Sequence, residues 1–481
     1  MNEAVLPASK GGPVGAPTIA HQKPRRRLNA VASFISRLVR EAARTSPARL
    51  ALFVFTAMIL LFTLILELPI SSVSGQRTRF VDALFTAVSA MCVTGLVTVP
   101  TQTHWSTFGL VVLMAAIKVG GLGVLTLASL LGLSVMRHMG LAQRIVTARE
   151  TKAAKLSEVG GVLRTIVLTS TGFEVATFIA LVPFLMRHEA TLKYALFNSV
   201  FYAVSAFNNA GFIPEVGGIE RYLGDPWFSI PIATSVFVGA LGFPVILVLV
   251  QNWRTPEHWS LHAKLTIWTS SILLVAGSIA ILLSEWGNPA TLGGHGFGTK
   301  VLSSTFASVM TRSGGFSTLD IGAMNTDTWL IMDLLMFIGG GSGSTGGGIK
   351  VTTFALLVLS IVAEARGDRD IEIFSRSIPY DTIRQAIAVL VISVLFVAIA
   401  TWVMLRLTNY PLDRVLFEVL SAYGTVGLST GITSDLSLAA KYVIIVCMYV
   451  GRIGPMTLGA ALALRSRRRV IHLPEERPVV G

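Results

Sequence analysis

Long stretches of the chain contain apolar residues without a single charge. They cover residues 51–66, 109–117, 230–250 and 387–404. Most lie within segments long enough to cross a bilayer as a helix. The pattern therefore predicts an all-α integral membrane protein.

The composition agrees with this prediction. Only 14% of the 481 residues are charged, whereas a soluble domain usually carries about 25% because its surface must face water. We therefore expect much of the protein surface to face lipid. The lipid bilayer is thus an expected partner.

Four short segments of the chain resemble one another. They are FTAVSAMCVTGL (85–96), FYAVSAFNNAGF (201–212), TFASVMTRSGGF (305–316) and FEVLSAYGTVGL (417–428). Each ends in a glycine followed by Leu or Phe, and successive glycines are 116, 104 and 112 residues apart. Six residues before the glycine stand Ser89, Ser205, Val309 and Ser421. Such a near-constant period is the signature of a repeated structural unit.

One apolar span precedes each segment and another follows it. The leading spans lie near 50–69, 162–186, 265–283 and 383–405, and the trailing spans near 108–135, 228–251, 329–363 and 442–464. Each segment has about ten residues of helical pattern, too few to cross a core of ~30 Å. We therefore expect each to enter the membrane and return on the same side, which is tolerated where protein or a watery cavity satisfies the backbone.

The predicted fold has four helix–P-loop–helix repeats, with eight transmembrane helices and four re-entrant pore helices around a pseudo-four-fold central pore. The repeats are assigned to residues 49–136, 160–252, 260–365 and 380–465. Basic residues cluster before the first span, in one long loop and after the last span, so the positive-inside rule places both termini in the cytoplasm. They form a basic tail at 1–48 and a C-terminal tail at 466–481. No basic folded domain accompanies the net charge of +13, so no nucleic-acid partner is expected.

The glycine segments suit a monovalent cation. A cation that leaves water needs oxygen ligands, and rings of backbone carbonyls supply them without a formal charge. Glycine permits the positive φ angles that aim successive carbonyls at one axis. No carboxylate ring lines these positions, which argues against a divalent cation. The candidate selectivity filter comprises Val93, Thr94, Gly95, Leu96, Asn209, Ala210, Gly211, Phe212, Ser313, Gly314, Gly315, Phe316, Thr425, Val426, Gly427 and Leu428.

These motifs resemble the Trk/Ktr/HKT superfamily of potassium transporters. VTGL, NNAGF, RSGGF and GTVGL occur in the family's order, and FIGGGSGSTGGGIK (337–350) and YVGRIGPMTL (449–458) strengthen the likeness, which runs from about 50 to 465. Trk-type members carry a further helix pair before the first repeat, whereas this chain has only a polar N-terminal tail there. It is therefore more similar to the KtrB branch. The resemblance implies potassium at the filter carbonyls in a bacterial inner membrane. Gly95 favours potassium, since some plant relatives with serine there prefer sodium.

A glycine-rich string interrupts the third trailing span. A phosphate-binding loop would need Gly-Lys-Ser/Thr after a strand, and here Ile349 separates Gly348 from Lys350. The resemblance instead implies a gate beneath the filter, with Arg452 as an electrostatic barrier facing it; Lys350 is expected nearer the cytoplasmic side. The candidate gate comprises Gly339, Gly340, Gly341, Ser342, Gly343, Ser344, Thr345, Gly346, Gly347, Gly348, Lys350 and Arg452.

Two other functions stay open at this stage. A secondary symporter would use broken helices as a closed binding site, and a membrane enzyme ranks last because no nucleophile or metal motif occurs. No covalent cofactor is expected, potassium is the substrate, and sodium as a coupling or activating ion is undecided. The resemblance also implies a homodimer and a cytosolic KtrA-like ring of RCK domains that binds ATP or ADP. The segments 137–164 and 364–384 are candidate docking surfaces for that ring, and Lys118, Glu174 and Asp333 are assigned no role.

Overall fold

The computed structural model describes residues 47–123, 156–189, 191–368 and 370–463. The chain divides into two units at Leu50 and Ala51, and of the first unit only residues 47–50, the start of a helix, are described. The predicted tail at 466–481, nearly all of the basic tail at 1–48 and most of the loop at 137–164 lie outside the described residues.

One succession of elements occurs four times: a leading helix, a short helix, a turn that contains glycine, and a trailing helix. The leading helices are Pro47–Leu66, Leu156–His188, Leu261–Glu285 and Tyr380–Leu407. The short helices are Phe80–Cys92, Leu192–Phe207, Phe297–Thr311 and Leu412–Gly424. The trailing helices are Thr107–Gly121, Pro226–Leu241 with Phe243–Asn252, Thr326–Phe337 with Val351–Arg366, and Leu438–Ala463.

Smaller elements connect these helices. A four-residue helix spans Thr101–His104, and 3-10 turns span Pro69–Ser71, Glu220–Tyr222, Pro256–His258, Ile321–Ala323 and Thr433–Asp435. Strands Ile371–Ile373 and Arg376–Ile378 pair antiparallel in a hairpin between the third and fourth repeats. The sequence analysis did not anticipate this hairpin.

The short helices contain 13, 16, 15 and 13 residues. At 1.5 Å per residue they are about 20–24 Å long, still below the ~30 Å of a bilayer core. They are longer than the ten residues predicted, because each begins before the segment that the four copies share. The first starts at Phe80, five residues before the shared Phe85.

The short helices form the interior, and the leading helices face outward. Phe85, Phe201 and Phe417 on short helices have no exposed surface, whereas Leu283 and Leu395 on leading helices are 70% and 59% exposed. Exposed apolar side chains in this number are typical of a surface that contacts another apolar phase. The outer surface of the helices is therefore suited to lipid.

Three trailing helices approach the short helix of their own repeat through a glycine. A methyl group added to Gly120, Gly239 or Gly451 would overlap a backbone carbonyl of the short helix. Those carbonyls belong to Met91, Phe207 and Tyr423, each four residues before the glycine of the turn. Contact between the two backbones is thus at equivalent positions in the first, second and fourth repeats.

Two trailing helices are broken. The sequence predicts the break in the third, which a glycine-rich loop at residues 338–350 divides. The sequence also predicts one continuous span at 228–251, and this prediction is wrong: its two helices meet at Gly242 at an angle of 102°. Pro244 removes a backbone donor there, and Gly242 adopts a φ of 94°.

By length and composition, three helices in the described part of the chain could cross a membrane on their own. They are Arg164–His188, Leu261–Glu285 and Tyr380–Leu407, and the bent pair Pro226–Leu241 and Phe243–Asn252 would make a fourth. Among the described residues, Leu52–Leu66, Phe80–Cys92 and Thr107–Gly121 are apolar but shorter. The count of eight crossings remains a prediction.

Candidate functional site

The four glycine turns (residues 93–96, 209–212, 313–316 and 425–428) meet in a closed ring. A methyl group added to Gly95 would lie 3.3 Å from the Cα of Gly211, and one on Gly211 would lie 2.8 Å from the Cα of Gly315. One on Gly315 would lie 3.4 Å from the Cα of Gly427, and one on Gly427 would lie 3.1 Å from the Cα of Gly95. Each turn therefore contacts the next in chain order, and the fourth contacts the first.

All four of these glycines have positive φ, as the sequence predicts. The angles are 94° at Gly95, 68° at Gly211, 70° at Gly315 and 97° at Gly427. Val93, Asn209 and Thr425 also have positive φ, a conformation that costs a non-glycine residue free energy. The third turn has glycine at two successive positions, Gly314 and Gly315, and differs from the others in this respect.

Serines on the short helices form hydrogen bonds with the backbone of three of the turns. The amides of Gly95 and Gly427 donate to the hydroxyls of Ser89 and Ser421, at 3.0 and 3.1 Å. Ser205 instead donates to the carbonyl of Phe212 at 3.2 Å. These serines stand six residues before the glycine in sequence. The sequence shows this regular spacing but does not reveal the role of the serines. The third copy has Val309 at this position, and the amide of Gly315 donates to the carbonyl of Met310 instead, at 3.3 Å.

One side of the ring opens into a cavity of about 380 Å³. The glycines of all four turns line it, together with hydroxyl residues from the segments after the first and fourth turns, including Thr98, Ser429 and Thr433. Its lining includes no charged side chain among the described residues. Nor does the described part of the chain contain a cluster of three His, Cys, Asp or Glu residues that could hold a metal ion.

Buried carboxylates stabilise the segments beyond the turns, a role that the sequence analysis did not identify. Glu418, which has no exposed surface, accepts hydrogen bonds from the hydroxyl of Thr433 at 2.9 Å, from the amide of Thr430 at 3.2 Å and from Ser429. Asp82 accepts from Thr98 and pairs with Lys441, both at 2.9 Å. The acids lie on the short helices, behind the cavity wall rather than in it.

The glycine-rich loop contacts two of the four turns. The amide of Gly347 donates to the hydroxyl of Thr425 at 2.8 Å. A methyl group on Gly346 would lie 2.5 Å from the hydroxyl of Ser313. The loop therefore lies against the residues with which the third and fourth turns begin.

Arg452 joins the glycine-rich loop to the first trailing helix. One guanidinium nitrogen donates to the carbonyl of Thr345, and the other donates to the carbonyl of Gly120 at 2.7 Å. The side chain is 5% exposed, and no carboxylate pairs with it in the described residues. A buried guanidinium bound to two neutral carbonyls retains its positive charge beside the loop.

Lys350 is buried within the protein, and its expected position nearer the cytoplasmic side stays a prediction. Its ammonium group donates to the carbonyl of Gly346 at 2.6 Å, and the residue is 9% exposed. The side chain folds back over the loop because that carbonyl offers it a hydrogen bond. Lys350 and Arg452 thus place two cations on one loop.

Lys118 and Glu174 form a partly buried ion pair, to which the sequence analysis assigned no role. The ammonium of Lys118 lies 2.6 Å from Glu174 and donates to Ser170 at 2.7 Å. Asn208, next to the second turn, donates to the same carboxylate at 2.9 Å. The pair therefore ties the first trailing and second leading helices to the end of the second short helix. Asp333 is also buried, and its Oδ1 has no hydrogen-bond partner among the described residues.

Comparison with known proteins yields one family. The model of the TrkH family, described as a cation transport protein, matches residues 48–468. The chain is 36% identical to Ktr system potassium uptake protein B of Bacillus subtilis, over 91% of this chain and 97% of that protein. It is 34% identical to Ktr system potassium uptake protein B of Vibrio alginolyticus, over 92% and 96% of the two chains.

Another relative is named for two ions, and a solved structure shares the fold. The chain is 32% identical to the potassium/sodium uptake protein NtpJ of Enterococcus hirae, over 91% of this chain and 98% of that protein. The structure of the potassium transporter TrkH from Vibrio parahaemolyticus superposes with a TM-score of 0.67 over 88% of this chain and 85% of that one, at 16% identity.

Proposed function

Because this chain belongs to the TrkH family of cation transport proteins, which are membrane transporters rather than enzymes, we propose that it conducts potassium ions through the ring of four glycine turns. The ring itself carries this proposal. Four backbone turns that touch in sequence surround a single axis, and their glycines leave no side chain on it.

In this proposal the backbone carbonyls of the turns replace the water that a potassium ion sheds. A neutral ring of carbonyls suits a monovalent cation, and the described residues that line the adjoining cavity include no charged side chain that would hold a divalent ion. The names of relatives from Bacillus subtilis and Vibrio alginolyticus, potassium uptake proteins, favour potassium. Val93–Leu96, Asn209–Phe212, Ser313–Phe316 and Thr425–Leu428 form the selectivity filter.

The proposed membrane arrangement follows from the repeats. The leading and trailing helices cross eight times, the four short helices enter and return, and the filter lies on a pseudo-four-fold axis. Both termini lie in the cytoplasm of a bacterial inner membrane. The exposed apolar surface of the leading helices supports this arrangement.

The glycine-rich loop acts as the gate beneath this filter. Its contacts with Ser313 and Thr425, the residues with which two turns begin, support this role. Arg452 and Lys350 hold it through carbonyls and add positive charge where an ion would pass. Because like charges repel strongly in a poorly hydrated site, the same residues oppose a potassium ion while the loop is in place.

A Ktr-type assembly is the proposed biological unit. The relatives at 34% and 36% identity are named as proteins of a Ktr system, which favours a homodimer of this chain that works with a cytosolic KtrA-like ring of RCK domains binding ATP or ADP. The candidate contacts for that ring are residues 137–164, of which 156–164 are described, and residues 364–384, which include the hairpin.

Flux measurements on the purified full chain in liposomes test the proposal. Gly427→Ser places a side chain in the ring, whereas Gly75→Ser is a matched control: Gly75 also has positive φ, at 66°, but nothing lies within 4 Å of an added methyl group. We expect the wild type and Gly75→Ser to pass potassium and rubidium. In Gly427→Ser we expect the potassium flux to fall at least tenfold, or the preference for potassium over sodium to be lost. Equal flux and selectivity in all three proteins would contradict the proposal.

Coupling to sodium is the second candidate, and the potassium/sodium name of the Enterococcus hirae relative favours it. The same liposomes separate the two functions. A pore passes potassium down its gradient without sodium, whereas a symporter shows saturable uptake in fixed ratio to sodium.

A further inference from the structure

The break in the second trailing helix has a specific chemical origin. In an unbroken helix the carbonyl of Ala240 would accept a hydrogen bond from the residue four positions later. That residue is Pro244, which has no N–H. Gly242 turns the chain with a φ of 94°, and the two halves diverge by 102°. We call residues 240–244 the elbow.

The glycine-rich loop satisfies the backbone groups that this break leaves free. The amide of Gly341 donates to the carbonyl of Ala240 at 2.8 Å. The amide of Phe243, the first residue of the next helix, donates to the carbonyl of Gly343 at 3.2 Å. Buried backbone groups without partners are costly, so elbow and loop stabilise each other through these two bonds.

Close contact between the two backbones requires glycine on the elbow. A methyl group added to Gly242 would lie 2.8 Å from the carbonyl oxygen of Ser342 and 3.2 Å from the amide of Ser344. On the loop side, a methyl group on Gly343 would lie 3.1 Å from the Pro244 ring. A methyl group on Gly341 would overlap the carbonyl of Leu241. The two segments fit only without side chains at these positions.

We propose that the elbow is a latch that positions the glycine-rich loop, with Gly242 as its positioning residue. It is a second attachment, separate from Arg452, and it joins the loop to the helix Phe243–Asn252. Displacement of that helix therefore pulls on the loop. This inference rests on the proposed role of the loop as a gate and adds the element that holds it in place.

Substitution of Gly242 tests the latch. Gly242→Ala should raise potassium flux in liposomes without a cytosolic partner by about threefold to tenfold, the effect expected from losing one or two ordinary hydrogen bonds. The ratio of potassium to sodium flux should not change, because the ring is untouched. Gly367→Ala is the matched control, since Gly367 also follows a helix with positive φ, at 75°, but has nothing within 4 Å of an added methyl group.

A double substitution separates the latch from a general structural effect. Because Gly242 and Arg452 hold the loop through separate bonds, their losses of free energy should add, and Gly242→Ala/Arg452→Ala should conduct more than either single variant. A double variant no more active than Arg452→Ala, or unchanged or reduced flux in a correctly inserted Gly242→Ala, would overturn the latch. A wild type that passes no potassium would instead refute the proposed function.

Hydrogen exchange of the wild-type chain tests the latch without a variant. The amides of Phe243 and Gly341 each bond across the contact, so they should become exchangeable at one common opening rate. Different opening rates for these two amides would show that the two hydrogen bonds break independently, and the latch would then be rejected.

Discussion

The hydroxyl of Thr425 accepts a hydrogen bond from the amide of Gly347 at 2.8 Å, so the fourth glycine turn and the glycine-rich loop are in direct contact. Thr425 itself has a φ of 50°, and its side chain is fully buried. The residue that begins the proposed filter strand thus also binds the proposed gate. Movement of the loop away from the turn would therefore break a hydrogen bond to the residue with which the turn begins.

Removal of the Thr425 hydroxyl should loosen the loop. Thr425→Ala leaves the Gly347 amide without its acceptor, which typically costs ~1–3 kcal/mol when the donor is buried. We expect higher basal potassium flux in liposomes for Thr425→Ala than for Thr425→Ser, which keeps the hydroxyl. The same flux in both variants would show that the hydrogen bond does not restrain the loop.

Replacement of Arg452 by alanine should raise potassium flux. The substitution removes the charge beside the loop and both hydrogen bonds, to Thr345 and to Gly120. Hydrogen bonds to charged groups contribute ~1.5–3 kcal/mol each, so the increase should be about tenfold or more. Arg452→Lys keeps the charge but cannot reproduce the planar fork, and it should give an intermediate flux. Equal or lower flux in a correctly inserted Arg452→Ala would contradict the gate.

Loss of the Glu418 carboxylate should destabilise residues 429–433, the segment that follows the fourth turn. Glu418→Ala strands donors from Thr430 and Thr433 inside the protein, at a cost of ~1–3 kcal/mol for each. We expect a lower melting temperature in detergent and a smaller potassium preference. Glu364, an exposed glutamate, provides the control Glu364→Ala. Unchanged melting and selectivity in Glu418→Ala would argue against this support.

The Lys118–Glu174 pair should behave as a unit. Breaking a buried ion pair from one side costs ~3–5 kcal/mol, and the low end applies here because the Lys118 side chain is 25% exposed. Lys118→Met alone should therefore lower the melting temperature more than Lys118→Met/Glu174→Met. Additive losses in this double-mutant cycle would indicate that the two side chains do not interact.

The glycine turns and the break in the third trailing helix could be predicted, because glycines within a short stretch of sequence determine them. The four glycines at a near-constant period predicted four turns with positive φ, and the dihedral angles confirm this. The run of glycines at 339–348 predicted the break in the third trailing helix, because so many glycines weaken any helix. Family membership is likewise confirmed by the match over residues 48–468.

Features that depend on distant partners could not be predicted. The elbow at Gly242 lies in an apolar run that reads like any other membrane span, and its free backbone groups find their partners about a hundred residues later, in the loop. Lys118 and Glu174 are 56 residues apart in sequence, and no spacing rule links them. Lys350 is buried although its bond to the carbonyl of Gly346 is local, because the loop that carries both residues packs against distant residues such as Thr425.

The ring is assembled from four unequal stretches of a single polypeptide. In a symmetric homotetramer every substitution appears four times around the axis. Here a mutation changes one quadrant and spares the other three, as the glycine pair Gly314–Gly315 in the third turn illustrates. One repeat can therefore gain a mobile segment by mutation, while the other three repeats keep the width of the ring unchanged.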